Sequence, residues 1–167
     1  GKILTHDKSY LALFKFGKEL ERNEIEEKMA MLTGKVYNVP PEISAVRVQV
    51  RTRKISRFDI LDFDGTSLLT HIECEAGTYV RTMARDLGLL LDTPVELKEL
   101  RRPSSGEFSL NQSITMQQLA DAYWLWKEKG DGNAMLRILH PIEDMLSDLP
   151  RVVVKDGAAA ALSHGAP

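Results

Sequence analysis

An α+β architecture is predicted by three features of this 167-residue sequence: an alternating apolar strand near its start, a hairpin signal at Asp64-Gly65, and an amphipathic helix directly after that hairpin. The composition agrees. With 43% hydrophobic and 28% charged residues, the chain can build one real core, so one domain, or one domain plus a fragment, is expected.

Each element has its own warrant. SYLALFKFG (9–17) alternates Tyr10, Ala12, Phe14 and Phe16 with Leu11, Leu13 and Lys15; both faces are partly apolar, which places the strand inside a sheet. Asn23 followed by Glu26 has the form of a capping box, and Ile25, Met29 and Leu32 make the buried stripe of a helix ending at Gly34. The two prolines of NVPPEIS bar regular structure. In the next strand Val46, Val48 and Val50 form a dry face, and Arg47, Gln49, Arg51 and Arg53 a cationic one. FDILDFDGTSLLTHIEC reads as a hairpin with Asp64-Gly65 as its two-residue turn.

In EAGTYVRTMARDLG (75–88), Thr78 is the expected N-cap, Val80, Met83, Ala84 and Leu87 the buried stripe, and Gly88 the stop. Thr93, Pro94 and Glu96 carry the start signals of a second helix, expected to run out before Pro103. Thr115 and Gln118 box a third helix, MQQLADAYWLWKEKG, and HPIEDMLSDL predicts a fourth. VVVKDGAAAALSHGAP reads as a strand, a turn and a small-residue helix. Both ends of the sequence look cut from a longer polypeptide.

Composition excludes several classes of function. The single cysteine, Cys74, rules out a disulfide framework and a multi-cysteine zinc site, and the four histidines lack ligand spacing, so no metal site is expected. The apolar runs fall short of the roughly 20 residues that a membrane-spanning helix needs, so no membrane partner is expected either. Net charge is −2, yet VRVQVRTRKISR (46–57) carries Arg47, Arg51, Arg53, Lys54 and Arg57 without one acid. A near-neutral total therefore hides a basic stripe. No phosphate loop, zinc-protease helix, serine elbow or dinucleotide fingerprint is present.

Arg81 is the odd residue. With Thr78 as cap it falls at the third helical position, where the helix dipole disfavours a cation by about 0.3–1 kcal/mol. That small cost leaves open a surface arginine in water, or one paired with Glu75. Together with Tyr10, the cationic strand, Tyr79 and the basic LRRPSSG (100–106), however, Arg81 completes a set that suits an RNA-modifying enzyme: arginines for phosphates and an aromatic for an extruded base.

The succession SYLALFKFG, PPEISAVRVQVRTRKI, ECEAGTYVRTMARDLG and ELRRPSSGEF closely resembles the TruB-type pseudouridine synthases over nearly the whole chain. DAYWLWKEKG and HPIEDMLSDLPRVVVKDGAAAALSHGA resemble the archaeal and eukaryal dyskerin-like branch, the catalytic subunit of box H/ACA ribonucleoproteins. The resemblance implies a pseudouridine synthase fold, with a mixed, mainly antiparallel sheet flanked by helices. Residues 1–148 would be the C-terminal portion of the catalytic domain and 149–167 the start of an RNA-binding PUA domain. It implies uridine-to-pseudouridine isomerisation in rRNA or tRNA without a cofactor, partnership with guide RNA and small H/ACA proteins, and a cytoplasmic setting in an archaeon or a nucleolar one in a eukaryote.

Residue by residue, Tyr10 matches the tyrosine that stacks on the flipped base and is the candidate for taking up a proton late in the reaction. Arg81 matches the arginine that pairs with the nucleophilic aspartate. Tyr79 and Leu100 match residues lining the uridine pocket. Arg47, Arg51, Arg53, Lys54, Arg101 and Arg102 are the expected RNA contacts. The family's aspartate lies in a glycine-rich loop upstream of the tyrosine strand, and no such loop occurs in these residues; Asp7 stands too close to Tyr10. The chain by itself is accordingly expected to be inactive. A non-catalytic RNA-binding scaffold of the same fold and a protein-binding α+β module remain alternative readings.

Overall fold

The computed structural model describes residues 6–41, 47–147 and 149–165. They fall into two compact units, residues 1–113 and 114–167.

The first unit contains β1 (Lys8–Phe16), α1 (Arg22–Met31), β2 (Gly34–Asn38), β3 (Arg51–Phe63), β4 (Ser67–Cys74), α2 (Val80–Leu91), β5 (Val95–Ser105) and the short β6 (Phe108–Ser109). The strands form one antiparallel sheet in the order β2-β3-β4-β1-β5-β6. β1 lies inside it, as its two apolar faces predict. Tyr10, Ala12, Phe14 and Phe16 all point into the core, against Ile25 and Met29 of α1 and Val80, Met83, Ala84, Leu87 and Leu91 of α2. Phe14 meets Phe58 edge-on at 6.4 Å between ring centroids, a favourable quadrupole geometry. Both helices thus share the inner face of the sheet.

Several sequence expectations are corrected. The helix expected from Thr93 is the strand β5. It pairs with β1 along Leu11↔Arg101, Ala12↔Leu100 and Phe16↔Val95, so sheet pairing overrides the local capping signals. Gly88 does not stop α2, which continues to Leu91 and ends at Asp92 in the left-handed region, φ 48°. Thr78 is not the cap either: Tyr79 is the N-cap, and the Thr78 hydroxyl donates instead to the Glu75 carbonyl at 2.8 Å. Arg81 is therefore the second helical residue.

The hairpin turn slips by one residue. Asp64 N–H donates to the Ser67 carbonyl at 3.2 Å, leaving Gly65 and Thr66 at the tip, with Gly65 at φ 93°. The Asp64 carboxylate accepts the Thr66 and Ser67 amides, and these bonds lower its pKa. α1 begins after Glu21 without a side-chain cap; Asn23 lies inside the helix, so the expected Asn23/Glu26 box does not form, and Glu26 pairs with Arg22 one turn back. β3 starts only at Arg51, and Val48 and Val50 are exposed at 52% and 60%, so the expected dry face does not form there; Val46 lies outside the described residues. Ile55 is fully buried, which puts Arg53, two residues earlier, on the inner face.

In the second unit, α3 (Met116–Lys129) carries the expected Thr115/Gln118 capping box. α4 (Asn133–Ile138) was not anticipated, and HPIEDMLSDL gives only a 3₁₀ turn over Ile142–Leu146. Residues 152–154 form no strand, whereas the small-residue helix is present as α5 (Asp156–Ser163). Ala122 of α3 is buried, and Tyr123, Trp124 and Trp126 are about half exposed. No helix among the described residues is long and apolar enough to cross a membrane.

Candidate active site

The strand register builds the site's floor. Ile55, Cys74, Lys8 and Ser105 line up across β3, β4, β1 and β5 on the inner face of the sheet. Tyr10, two residues beyond Lys8, is 7% exposed and lies under the Arg102 guanidinium, whose carbon is 5.3 Å from the ring centroid. The contact arises from an irregularity between Ser9 and Leu11, where β5 carries Arg102 and Pro103 past Tyr10 alone. Leu100 pairs with Ala12 on the same face and is 46% exposed. The structure therefore brings Tyr10, Leu100 and Arg102 together, while Arg101, opposite Leu11, belongs to the other face.

Next to this floor the segment 75–79 leads into α2. Glu75 is tied to β3 twice: its amide donates to the Lys54 carbonyl at 2.9 Å, and its carboxylate accepts the Lys54 amide at 2.8 Å. This settles the choice left open for Glu75, since its carboxylate serves the β3 backbone and leaves Arg81 to itself. Gly77 has φ +79°, a conformation that favours glycine, and a Cβ there would lie 3.1 Å from an Arg53 terminal nitrogen, so any other residue would also press on that side chain. Arg53 is half-buried; one terminal nitrogen donates to the Thr52 carbonyl, and its Nε is buried without a hydrogen-bond partner.

The site is cationic. Burial first, and then the charge of Arg102, push the Lys8 ammonium below its usual pKa, with Asp7 opposing. Lys8 also donates to the His6 carbonyl. Burial pushes the Cys74 thiol up to about 11, while a Thr78 hydrogen bond pulls the other way, so Cys74 is an inert neutral neighbour at ordinary pH. Lys8, Arg53 and Arg102 thus surround the approach to α2, whose N-terminus adds its own positive potential. Arg81 stands exposed in the first turn and pairs with no carboxylate among the described residues. The arrangement can stabilise an anionic group placed before α2, beside an aromatic ring.

Tyr79 is half-buried, and its peptide is held by Asn38 from the end of β2: Tyr79 N–H donates to Oδ1 at 2.9 Å, and Nδ2 donates to the Tyr79 carbonyl at 3.3 Å. Arg51 and Lys54 are exposed on β3, and Arg47 is exposed in the irregular segment before it. Lys8 and Asn38 escaped sequence reasoning. Lys8 carried a usable signal, its place two residues before Tyr10 on the same strand face. Asn38 carried none, because its partner is 41 residues away. No group of three or more His, Cys, Asp or Glu side chains that could hold a metal ion occurs among the described residues.

Residues 81–147 match the family described as the tRNA pseudouridylate synthase B C-terminal domain. The chain is 38% identical over 161 residues to a protein named probable tRNA pseudouridine synthase B from Pyrobaculum calidifontis, covering 96% of this chain and 48% of that protein. It is 39% identical over 164 residues to the protein of the same name from Methanothermobacter thermautotrophicus, covering 98% and 51%. Among solved structures, a chain in a Cbf5-Nop10-Gar1 complex matches with a TM-score of 0.86 and 35% identity, over 99% of this chain and 50% of that one. A chain in an H/ACA RNP bound to a substrate RNA containing 2'-deoxyuridine matches with a TM-score of 0.84 and 32% identity, over 98% and 49%. The chain spans about half the length of the curated relatives it matches.

Proposed function

We propose that this chain, which belongs to the TruB-type pseudouridine synthase family over the part of their length that it spans, forms part of an RNA isomerase converting uridine to pseudouridine. The observation that carries the reading is the first turn of α2. It holds an exposed Arg81 that pairs with no carboxylate among the described residues, beside the inner face where Tyr10 lies under Arg102. A guanidinium at a helix N-terminus asks for a negative partner, and a nucleophilic aspartate supplied by another part of the whole protein meets that demand.

In this reading the target uridine is flipped out of the RNA and stacks on Tyr10. The aspartate attacks it, the base detaches and rotates, and it is rejoined through C5. Tyr10 then takes the proton released at C5. Extrusion costs a few kcal/mol, offset by phosphate contacts to Arg47, Arg51, Arg53, Lys54, Arg101 and Arg102. Tyr79 and Leu100 line the base pocket. Residues 1–148 serve the catalytic domain and 149–167 begin a PUA domain. A box H/ACA guide RNA and small protein subunits complete the assembly, in the cytoplasm of an archaeon or the nucleolus of a eukaryote. The two similar chains, one in a Cbf5-Nop10-Gar1 complex and one in an H/ACA RNP with substrate RNA, support those partners.

The test uses the intact protein with guide RNA and a uridine-labelled substrate. Arg81→Ala is expected to lower single-turnover pseudouridine formation by at least about 100-fold, the scale on which a reacting group misplaced by about 1 Å loses rate, while RNA affinity changes little. Unchanged turnover sinks the role of Arg81. RNA binding without any turnover by the unmodified protein supports a scaffold instead, and no RNA binding at low salt supports a protein-binding module.

A further inference from the structure

The geometry assigns Asn38 the role of a positioning residue: its carboxamide grips the Tyr79 peptide and so sets where the first turn of α2 presents Tyr79 and Arg81. The inference rests on the function proposed above. Asn38 is 2% exposed and closes β2 opposite Arg51 of β3. It uses both ends of its side chain on the backbone of one residue, accepting Tyr79 N–H at 2.9 Å and donating to the Tyr79 carbonyl at 3.3 Å, and so holds the two peptide groups that flank Tyr79 Cα. The next residue adds a second grip. Thr82, 3% exposed, donates its hydroxyl to the Val39 carbonyl at 2.6 Å. Two consecutive residues of β2 and its exit thus hold positions 79 and 82, on either side of Arg81.

Among the described residues, no other side chain is hydrogen-bonded to the Tyr79 backbone. α2 has no side-chain N-cap of its own, and the Thr78 hydroxyl is turned away to the Glu75 carbonyl. The apolar stripe Val80, Met83, Ala84, Leu87 and Leu91 fixes the helix on the sheet, and the Tyr79 carbonyl also accepts the Thr82 and Met83 amides within the helix, whereas Tyr79 N–H has Asn38 as its acceptor. A carboxamide is the side chain that can satisfy a peptide N–H and C=O at once, which is why a buried Asn suits this place. Beyond Val39 come Pro40 and Pro41, and the chain continues to the cationic residues 47–54. The clamp therefore joins the root of the RNA-facing segment to the helix that carries Arg81.

Three variants of the intact protein test this: Asn38→Leu, similar in size and unable to make either bond; Asn38→Asp, which keeps the acceptor for Tyr79 N–H; and Thr82→Val. Asn38→Leu is expected to slow single-turnover pseudouridine formation by at least about tenfold, with RNA Kd within about twofold of the parent. Exchange of the Tyr79 amide hydrogen is expected to quicken by at least about tenfold while amides 84–91 keep their protection. Asn38→Asp restores part of the rate, and Thr82→Val gives a smaller loss that is not additive with Asn38→Leu. Unchanged Tyr79 exchange overturns the inference. So does a rate loss matched by equal loss of RNA affinity or of folded protein. If Asn38→Leu does not fold, Asn38→Asp and Thr82→Val decide by the same two readouts. If the parent shows no turnover, the proposed function fails, and the exchange measurement alone decides whether the clamp exists.

Discussion

Gly88→Ala separates two opposing effects inside α2. On helix propensity alone, alanine should stabilise a helix interior by about 1 kcal/mol. The structure reverses the sign. A Cβ at Gly88 would lie 2.7 Å from the Thr93 carbonyl oxygen, 3.2 Å from Val95 Cγ2 and 3.3 Å from the Val95 nitrogen. Two of these atoms are backbone and cannot swing aside. Thr93 is also anchored, its N–H donating to the Gly88 carbonyl at 3.1 Å where the chain turns back into β5. Relief requires pushing the start of β5 away, at about 1–3 kcal/mol for overpacking and about 1 kcal/mol for the weakened hydrogen bond. Less the propensity gain, the variant should be about 1–3 kcal/mol less stable. Urea unfolding followed by circular dichroism should report a lower midpoint at unchanged slope. An equal or higher midpoint would refute the steric argument and return Gly88 to the role of an ordinary helix residue.

Asp92→Gly should have the opposite outcome. Asp92 holds φ 48° with an exposed side chain at the negative end of α2, so glycine removes both the left-handed cost and an unfavourable charge, raising stability by up to about 1 kcal/mol in the same assay. Cys74 should resist iodoacetamide in the native protein at mildly alkaline pH and react on unfolding. Its thiol is raised from 9.0 to about 11 by burial, so the stability linked to its protonation is complete below the unfolded value and is lost as pH rises through about 11. Rapid native-state alkylation would contradict that burial, and Cys74→Val should remove its share of the alkaline loss.

Local pattern made much of the fold legible. β1, α1, the β3–β4 hairpin, α2 and α3 follow from alternation, helical stripes and turn residues, because each depends on neighbours a few positions away. The error at β5 has a definite cause. Thr93, Pro94 and Glu96 satisfy every local rule for a helix start, yet the segment emerges from α2 beside β1, where antiparallel pairing satisfies its backbone along eight register positions. The basic run departs from its local pattern in a related way: the alternation begins at Val46 in the sequence, but regular pairing begins at Arg51, and Arg53 turns inward toward Gly77.

For the site, the chemical inventory is legible along the chain: a tyrosine on an interior strand, arginines in the basic runs 46–57 and 100–106, and Arg81 at a helix start where the dipole disfavours a cation. How these groups meet depends on the pairing of distant segments. The irregular pairing of β1 with β5 lays Arg102 over Tyr10, Gly77 makes room for Arg53, and Asn38 takes hold of a peptide 41 residues away. Propensity and periodicity are properties of neighbours along the chain. The pairing of strands and the satisfaction of a buried carboxamide are set across the sheet, by which polar groups must find partners once water has been excluded.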